Sequence, residues 1–328
     1  MLSTQAPPHR EQSRSAADSG TDVLRPKILV LLAACNGSRW IRAQIESILA
    51  QEGVDLRIAV RDDCSTDDTP RELARFAQDK RVAIVGSTAA SGSAARNFLT
   101  LIGENSADAF DFVAFADQDD LWNRDKLLRA CRMLAASSSA GYSSATVALW
   151  EDGRERVLKI SGMPTASDFL FEGAGQGCTF VLTAGFYERV RRFLVTDGEL
   201  THGIHYHDWL VYALARSWGL HWCFDAQPSL RYRQHAGNDT GARGTLQGIT
   251  RRLSRIRHGW YGAQLRAIAE VCRVAAPAND TVLAWHRRLV QADCWRKRLA
   301  VAQFCLAGGR RRARDNMTAV LAAFCGWI

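Results

Sequence analysis

From Met1 to Thr21 the chain carries Ser, Pro, Gln and charge without an apolar run, which predicts a disordered tail over residues 1–25 with no signal-peptide pattern. The pattern changes at Lys27. Ile28 to Ala34 is a continuous apolar run of strand length, as a parallel strand covered on both faces requires. Cys35-Asn36-Gly37-Ser38 breaks the run, and Trp40, Ile41, Ile45, Ile48 and Leu49 then recur at helical spacing. A strand from Leu56 to Arg61 and a polar break from Asp62 to Thr69 follow. Next comes a helix opening at Pro70, where the missing N–H of proline costs nothing. A strand at Val82 to Val85, a helix at Ala94 to Ile102, a strand at Phe112 to Ala116 and a helix from near Asn123 to Ala136 continue the alternation. This order predicts an α/β fold built on a doubly wound, mostly parallel sheet, with functional groups where its strands end.

Farther along, Cys178 to Leu182 reads as a strand and Asp208 opens an amphipathic helix reaching Leu214. After Gly241 the material changes. Leu246, Ile249, Leu253, Ile256 and Trp260 recur at three- and four-residue steps, and Val282 to Leu306 reads as a second helical segment. The predicted organisation is therefore an α/β domain over residues 26–241 and a C-terminal helical extension over 242–328.

Charge sharpens that division. The formal net charge is +8, but Gly241 to Ile328 holds sixteen Lys/Arg against four Asp/Glu. The body is slightly acidic and the extension strongly basic. Basic amphipathic helices carrying Trp260, Trp285 and Trp295 fit peripheral contact with an anionic membrane surface, and they equally fit a packed cap with solvated arginines. Arg310-Arg311-Arg312-Ala313-Arg314 has the look of a nucleic-acid patch, but no recognised nucleic-acid module accompanies it, and no nucleic-acid partner is expected. The longest apolar candidate for a membrane span, Met317 to Ile328, is too short. Nine cysteines without a C-x-x-C pair read as reduced, mostly buried thiols of a cytoplasmic protein.

The chemistry stands at the strand ends. The second strand runs into Asp62-Asp63-Cys64-Ser65-Thr66-Asp67-Asp68 and the fourth into Asp117-Gln118-Asp119-Asp120-Leu121-Trp122. Adjacent carboxylates are costly unless a cation or good donors meet them, and a hard divalent ion takes oxygen ligands. Asp117, Asp119 and Asp120, ending a strand together, therefore read as holders of a metal–diphosphate unit. Asp67 and Asp68, just before a helix, read as capping residues. Around Asp208, His202, His205 and His207 lack the companions of a tetrahedral zinc site and read as a polar loop. Gly173-Ala174-Gly175-Gln176-Gly177 does not join a strand to a helix, so it fails as a dinucleotide loop. A close backbone approach to sugar or acceptor and a plain flexible loop both remain open for it.

Ala33-Ala34-Cys35-Asn36-Gly37, Asp62-Asp63-Cys64-Ser65-Thr66-Asp67 and Asp117-Gln118-Asp119-Asp120-Leu121-Trp122, in that order, resemble the signature of family 2 glycosyltransferases. The D-Q-D-D-L-W form and Tyr232-Arg233-Gln234-His235 most resemble the bacterial rhamnosyltransferase-like branch, which builds surface polysaccharides. The likeness runs from Pro26 to Gly241, with Cys35 where members commonly have Tyr. It implies a GT-A fold and inverting transfer of a hexose or deoxyhexose, such as rhamnose. The donor would be a UDP- or TDP-type nucleotide sugar, the acceptor a saccharide or lipid-linked molecule, and the ion Mg²⁺ or Mn²⁺. By the same resemblance Ala34 and Asn36 line the nucleotide pocket, and Asp62 or Asp63 meets the base. Arg96, Asn97, Asp117 and Gln118 lie at the donor, and Asp119 binds the metal. Arg233 and His235 are placed at the diphosphate and metal, and Asp208 as catalytic base. The location implied is the cytoplasm, peripheral on the inner face of the membrane. Two rivals stand beside this reading. A sugar nucleotidyltransferase would need a glycine- and arginine-rich loop after its first strand, which is missing here; the other rival is a non-catalytic basic adaptor.

Overall fold

A computed structural model of the chain describes residues 25–160, 162–235, 254 and 256–328. The predicted tail and the stretch carrying Leu246, Ile249 and Leu253 lie outside the described residues, apart from Arg25. The first half follows the expected alternation: β1 (Lys27–Ala34), α1 (Ile41–Leu49), β2 (Asp55–Asp62), α2 (Thr69–Ala74), β3 (Val82–Gly86), α3 (Ala94–Glu104) and β4 (Phe112–Asp117). The helix expected from Asn123 begins later. Leu121–Trp122 forms a short strand, β5, and the helix is α4 (Lys126–Ser137). Asn123 is instead taken up outside it, its side-chain amide donating to the Pro228 carbonyl at 3.0 Å and its carbonyl accepting from Gln51 at 2.7 Å.

Three short strands follow: β6 (Gly141–Ser144), β7 (Thr146–Trp150) and β8 (Glu155–Leu158). The strand expected at Cys178 to Leu182 is shifted, because Gly177–Thr179 closes a 3₁₀ turn and β9 covers Val181–Thr183. Then come α5 (Ala184–Asp197), α6 (His207–Ser217), β10 (Trp222–Asp225) and β11 (Leu230–Gln234). The C-terminal part holds α7 (Trp260–Ala275), α8 (Asp280–Val290), α9 (Trp295–Gly308) and α10 (Ala313–Phe324). The single segment expected over Val282 to Leu306 is thus two helices, interrupted at residues 291–294.

The main sheet has the order β10-β6-β9-β4-β1-β2-β3, parallel throughout except for β9, which runs antiparallel to both neighbours. A smaller sheet, β5-β11-β7-β8, is joined to it by the chain leaving β4. Strand period divides the core in two. Ile28, Val30 and Leu32 face a layer with Ile41, Ile45 and Leu127, whereas Leu29, Leu31 and Phe115 face Phe98, Tyr187 and Leu210. The second layer continues without a break into Leu265, Ile268, Trp285 and Val301, so the C-terminal helices share the core of the α/β body. That corrects part of the membrane expectation. Trp285 is fully buried, stacked on Phe304 at 4.8 Å, and Trp260 is half-buried; of the three tryptophans only Trp295 is exposed. The cysteines divide similarly: four are buried, while Cys35, Cys294 and Cys325 are exposed.

Candidate active site

The carboxyl ends of β1, β2 and β4 converge, as parallel register requires: Ala34 lies opposite Asp62, and Ala33 opposite Asp117. Beyond β1 the chain turns through Asn36, with φ of 50°, a left-handed conformation that asparagine tolerates. The Asn36 N–H donates to Ser65 Oγ at 2.7 Å, and its side-chain oxygen accepts from Thr66 N–H at 2.8 Å. Ser65 Oγ in turn donates to Asp62, so the pocket wall is one hydrogen-bonded unit. Asp67 belongs to the scaffold, whereas Asp68, which stands at the N-cap of α2, makes no side-chain capping bond, against the capping expectation. Asp67 accepts from Thr69 N–H at 2.9 Å and Ser38 N–H at 3.1 Å. Burial opposes ionisation there, but these donors hold its carboxyl down to about 2.

Asp62 and Asp63 diverge because successive strand residues face opposite sides. Asp63 accepts from Arg61 at 3.0 Å and from Ser91 N–H and Oγ at 2.8 and 2.7 Å, which occupies both its oxygens. Asp62 receives only the Ser65 hydroxyl among the bonds identified. Asn97, expected at the donor, is buried. It accepts from Arg61 at 2.8 Å and donates to the Ala34 carbonyl at 3.2 Å, a clip between strand ends rather than an open contact. Arg96 beside it is exposed at the start of α3. Ala34 is 1% exposed, and its carbonyl is taken up by the Asp63 N–H and the Asn97 amide, so it belongs to the frame and is no open contact. Gln118 is a second clip: its amide accepts from Cys35 N–H at 2.7 Å and donates to the Cys35 carbonyl at 2.9 Å. Gly37 leaves the space for it, since a Cβ there would stand 2.2 Å from Gln118 Oε1.

Below this rim the carboxylates gather. Asp119 Oδ2 is 2.7 Å from His235 Nε2, although 116 residues separate them. The β5–β11 pairing brings the loop after β4 beside the end of β11 and so makes this contact. His235 also stacks on Trp40 at 4.1 Å, and with Arg39, Trp40, Trp150, Glu151 and Arg233 it lines a cleft of roughly 370 Å³. Asp117 sits close enough to feel both Asp119 and Asp208. Burial first, then those two charges, holds its carboxyl well above the ordinary range. Asp120 is wholly buried, and burial first, then the charges of Asp119 and Asp117, raises its carboxyl well above the ordinary range. Lys126, buried nearby with its ammonium 3.6 Å from the Trp122 ring centroid, is pushed down to about 7 by burial. Asp117, Asp120 and Cys178 place ligand-type atoms within 4.8 Å of one another.

Asp208 opens α6, where Trp209 N–H donates to its Oδ1 at 2.6 Å. His207 beside it is no ligand; it stacks on Phe98 at 3.9 Å, and burial pushes it down to about 3. The glycine-rich loop packs closely on the protein's own α6 and is no plain flexible loop. A Cβ on Gly173 would lie 3.2 Å from Trp209 Cα, and one on Gly177 would lie 2.8 Å from His207 Nε2 and 3.1 Å from Asp208 Cβ. Sequence reading missed Trp40, Arg61 and Trp150 as parts of the site. Trp40 had announced itself only as an apolar helix position.

Residues 29–164 match the family model described as Glycosyl transferase family 2. Over 240 residues the chain is 33% identical to the dTDP-rhamnosyl transferase RfbG of Shigella flexneri, covering 73% of this chain and 83% of that one. The chain belongs to glycosyltransferase family 2. A shorter likeness, 36% over 117 residues, joins this family 2 glycosyltransferase to the succinoglycan biosynthesis protein ExoO of Rhizobium meliloti (strain 1021), covering 35% of this chain and 31% of that protein. Among solved structures, S. aureus TarS 1–349 in complex with UDP-GlcNAc superposes with a TM-score of 0.55 at 14% identity, covering 92% of this chain and 90% of that one. The fold is therefore GT-A, and the enzyme is a glycosyltransferase rather than a nucleotidyltransferase or an adaptor.

Proposed function

We propose that this glycosyltransferase moves a deoxyhexose or hexose, rhamnose foremost, from a TDP- or UDP-type nucleotide sugar to a saccharide on a lipid carrier, with inversion, in surface polysaccharide synthesis. The observation that carries the reading is the 2.7 Å Asp119–His235 pair at the sheet edge, beside Asp117 and within reach of the Asp208 charge. Carboxylate oxygen and imidazole nitrogen suit Mn²⁺, and the oxygens suit Mg²⁺. Burial lifts Asp117 most, and the neighbouring charges of Asp119 and Asp208, which add to it, are what a cation would relieve. Asp119 and His235 would hold the ion. When bound, it neutralises charge growing on the leaving diphosphate. Arg233, in the cleft beside His235, supplies a permanent positive charge to the same oxygens. Asn36 and Asp62 hold the nucleotide, Asp62 meeting the base because the oxygens of Asp63 are already occupied. Asp208 takes the proton of the acceptor hydroxyl as that oxygen attacks the anomeric carbon and the diphosphate departs on the opposite side. Asp208→Asn should keep nucleotide affinity and lose about 10²–10⁴-fold in transfer. Transfer within a few-fold of the parent would remove the base assignment.

A second reading concerns where the enzyme works. Among the described residues no helix is long and apolar enough to cross a membrane. Arg298 on α9 reaches the Phe324 carbonyl at the far end of α10, so the two helices lie antiparallel. Both present apolar side chains outward: Trp295 is 69% exposed and Leu306 59%, beside Met317, Leu321 and Phe324. Exposed Arg296, Arg312 and Arg314 border this face. An apolar face edged with arginine matches the inner surface of an anionic bilayer, where a lipid-linked acceptor resides. Sedimentation with vesicles should rise with anionic lipid and vanish in a Trp295→Asp, Leu321→Asp variant. If the parent stays in the supernatant and light scattering shows dimers instead, the face belongs to a second copy.

A further inference from the structure

Within the arginine run Arg312 and Arg314 are exposed, but Arg310 and Arg311 turn inward. The Arg311 side chain is 1% exposed and lies 3.4 Å from Asp168 and 3.3 Å from Glu172, both buried. Its backbone N–H also donates to Glu172 at 2.6 Å, and its Nη2 donates to the Gly173 carbonyl. Arg310 pairs with Glu172 at 3.2 Å, and Arg216 with Asp168 at 3.2 Å. Such a buried network is strongly specified, because removing Arg311 takes one cation from two buried carboxylates at once and leaves each with a single arginine.

What the network grips is the chain segment from Asp168 to Gly173, and that segment touches the start of α6 throughout. Asp168 accepts from the Tyr212 hydroxyl at 2.8 Å, and the Phe169 carbonyl accepts from Trp209 Nε1 at 2.8 Å. A methyl group on Gly173 would be tight against the Trp209 backbone, and one on Gly177 would stand 2.8 Å from His207 Nε2 and 3.1 Å from Asp208 Cβ. The seat under Asp208 is thus fixed from the opposite end of the chain.

We propose that Arg311 is a positioning residue for the acceptor side of the reaction, holding Asp208 in place through the segment from Asp168 to Gly177. The inference rests on the assignment of Asp208 as base. It separates the two substrates: Asn36, Asp62 and Asp119 make no recorded contact with the network, so donor binding should not sense it. Misplacing a catalytic group by an ångström costs on the order of a hundredfold in rate. Arg311→Lys keeps the charge but loses the planar fork that reaches Asp168, Glu172 and Gly173 together.

The test measures transfer and nucleotide affinity in the full chain for Arg311→Lys, Asp208→Asn and the double variant. Arg311→Lys should lower kcat about tenfold or more while nucleotide Kd and donor KM change less than about twofold. Added to Asp208→Asn, it should cause no further loss, since the group it positions is already gone. Should Arg311→Lys not fold, Gly177→Ala presses on His207 and Asp208 without disturbing an ion pair and should give the same kcat-only signature. Losses that multiply in the double variant, or an equal fall in nucleotide affinity, would show a general structural role and overturn the proposal. A parental rate in Asp208→Asn removes the base assignment itself. A slow Asp208→Asn beside a full-rate Arg311→Lys removes only the positioning role.

Discussion

Gly37→Ala should damage this enzyme through one side chain, and removing that side chain should cure it. The new Cβ would stand 2.2 Å from Gln118 Oε1 and 2.4 Å from Cδ, far inside contact distance, so the amide must swing away from Cys35. Both of its hydrogen bonds to Cys35 are then lost. At about 0.5–1.5 kcal/mol net for each bond, the cost is about 1–3 kcal/mol. In a chain of this size that corresponds to roughly 2–6 °C in Tm. Because Gln118 ties the loop bearing Asp117 and Asp119 to the end of β1, a nucleotide that needs the loop in place should bind about five- to a hundredfold more weakly. Gln118→Ala alone should show the same losses. Gly37→Ala added to Gln118→Ala should then change Tm by less than about 1 °C, since the space is vacated and the coupling within the pair is complete. Thermal denaturation and titration calorimetry with the nucleoside diphosphate read both quantities. Additive losses in the double variant would show that Gly37 is needed for something other than the amide, and the argument would fail.

Three further outcomes follow from the same geometry. Asp119→Ala and His235→Ala should each abolish the extra thermal stabilisation that Mn²⁺ gives with nucleotide; a surviving metal-dependent shift in either variant removes the ligand assignment. Asp62→Asn should weaken nucleotide binding at unchanged Tm. Asp63→Asn should lower Tm by several degrees, because it strips buried Arg61 of its carboxylate at a cost of about 3 kcal/mol; the reverse pattern would exchange their roles. Burial works against ionisation of Asp225, but Arg129, the Gln227 N–H and the Tyr142 hydroxyl together hold it below the usual carboxylate range. A carboxyl lowered by folding stabilises above its unfolded value, about 3.9, and that contribution fades as pH falls through the folded value. Asp225→Asn should therefore lower Tm at pH 7, and the gap to the parent should narrow as pH falls below about 3.9; a gap that does not narrow on acidification would contradict the pairing.

The first half of the fold was legible because β1, β2 and β4 are buried on both faces and so appear as unbroken apolar runs, and because clustered carboxylates stand out at the strand ends. The strands β6, β7, β8, β10 and β11 were not, being four or five residues long, with Ser, Arg or Gln in β6, β8 and β11, so that tertiary packing, not pattern, decides the state. Residue type could not separate Asp62 from Asp63, since their difference lies in which face of the sheet each takes. Asn97 and Gln118 look like ligands in sequence, yet their amides are consumed by backbone and Arg61, partners fixed only when β1, β2 and β4 align. The largest reversal is Arg311. An arginine run reads as solvated, and only the fold reveals that Asp168 and Glu172, some 140 positions earlier, wait beneath it.

The pairing of Arg310 and Arg311 with Asp168 and Glu172 also sets the unit in which this enzyme can be recombined. The segment matching the family model ends at residue 164 and contains Asn36, Asp62, Asp117 and Asp119 but neither Asp208 nor His235. A crossover near residue 164 would part the proposed base, Asp208, from Asn36, Asp62 and Asp119, but it would also bring in a new Arg233 and His235 from the other side of the join. Such a chimera cannot stop at β11. The incoming segment around Asp168 needs Arg310 and Arg311 beneath it, so the grafted piece must run through α10.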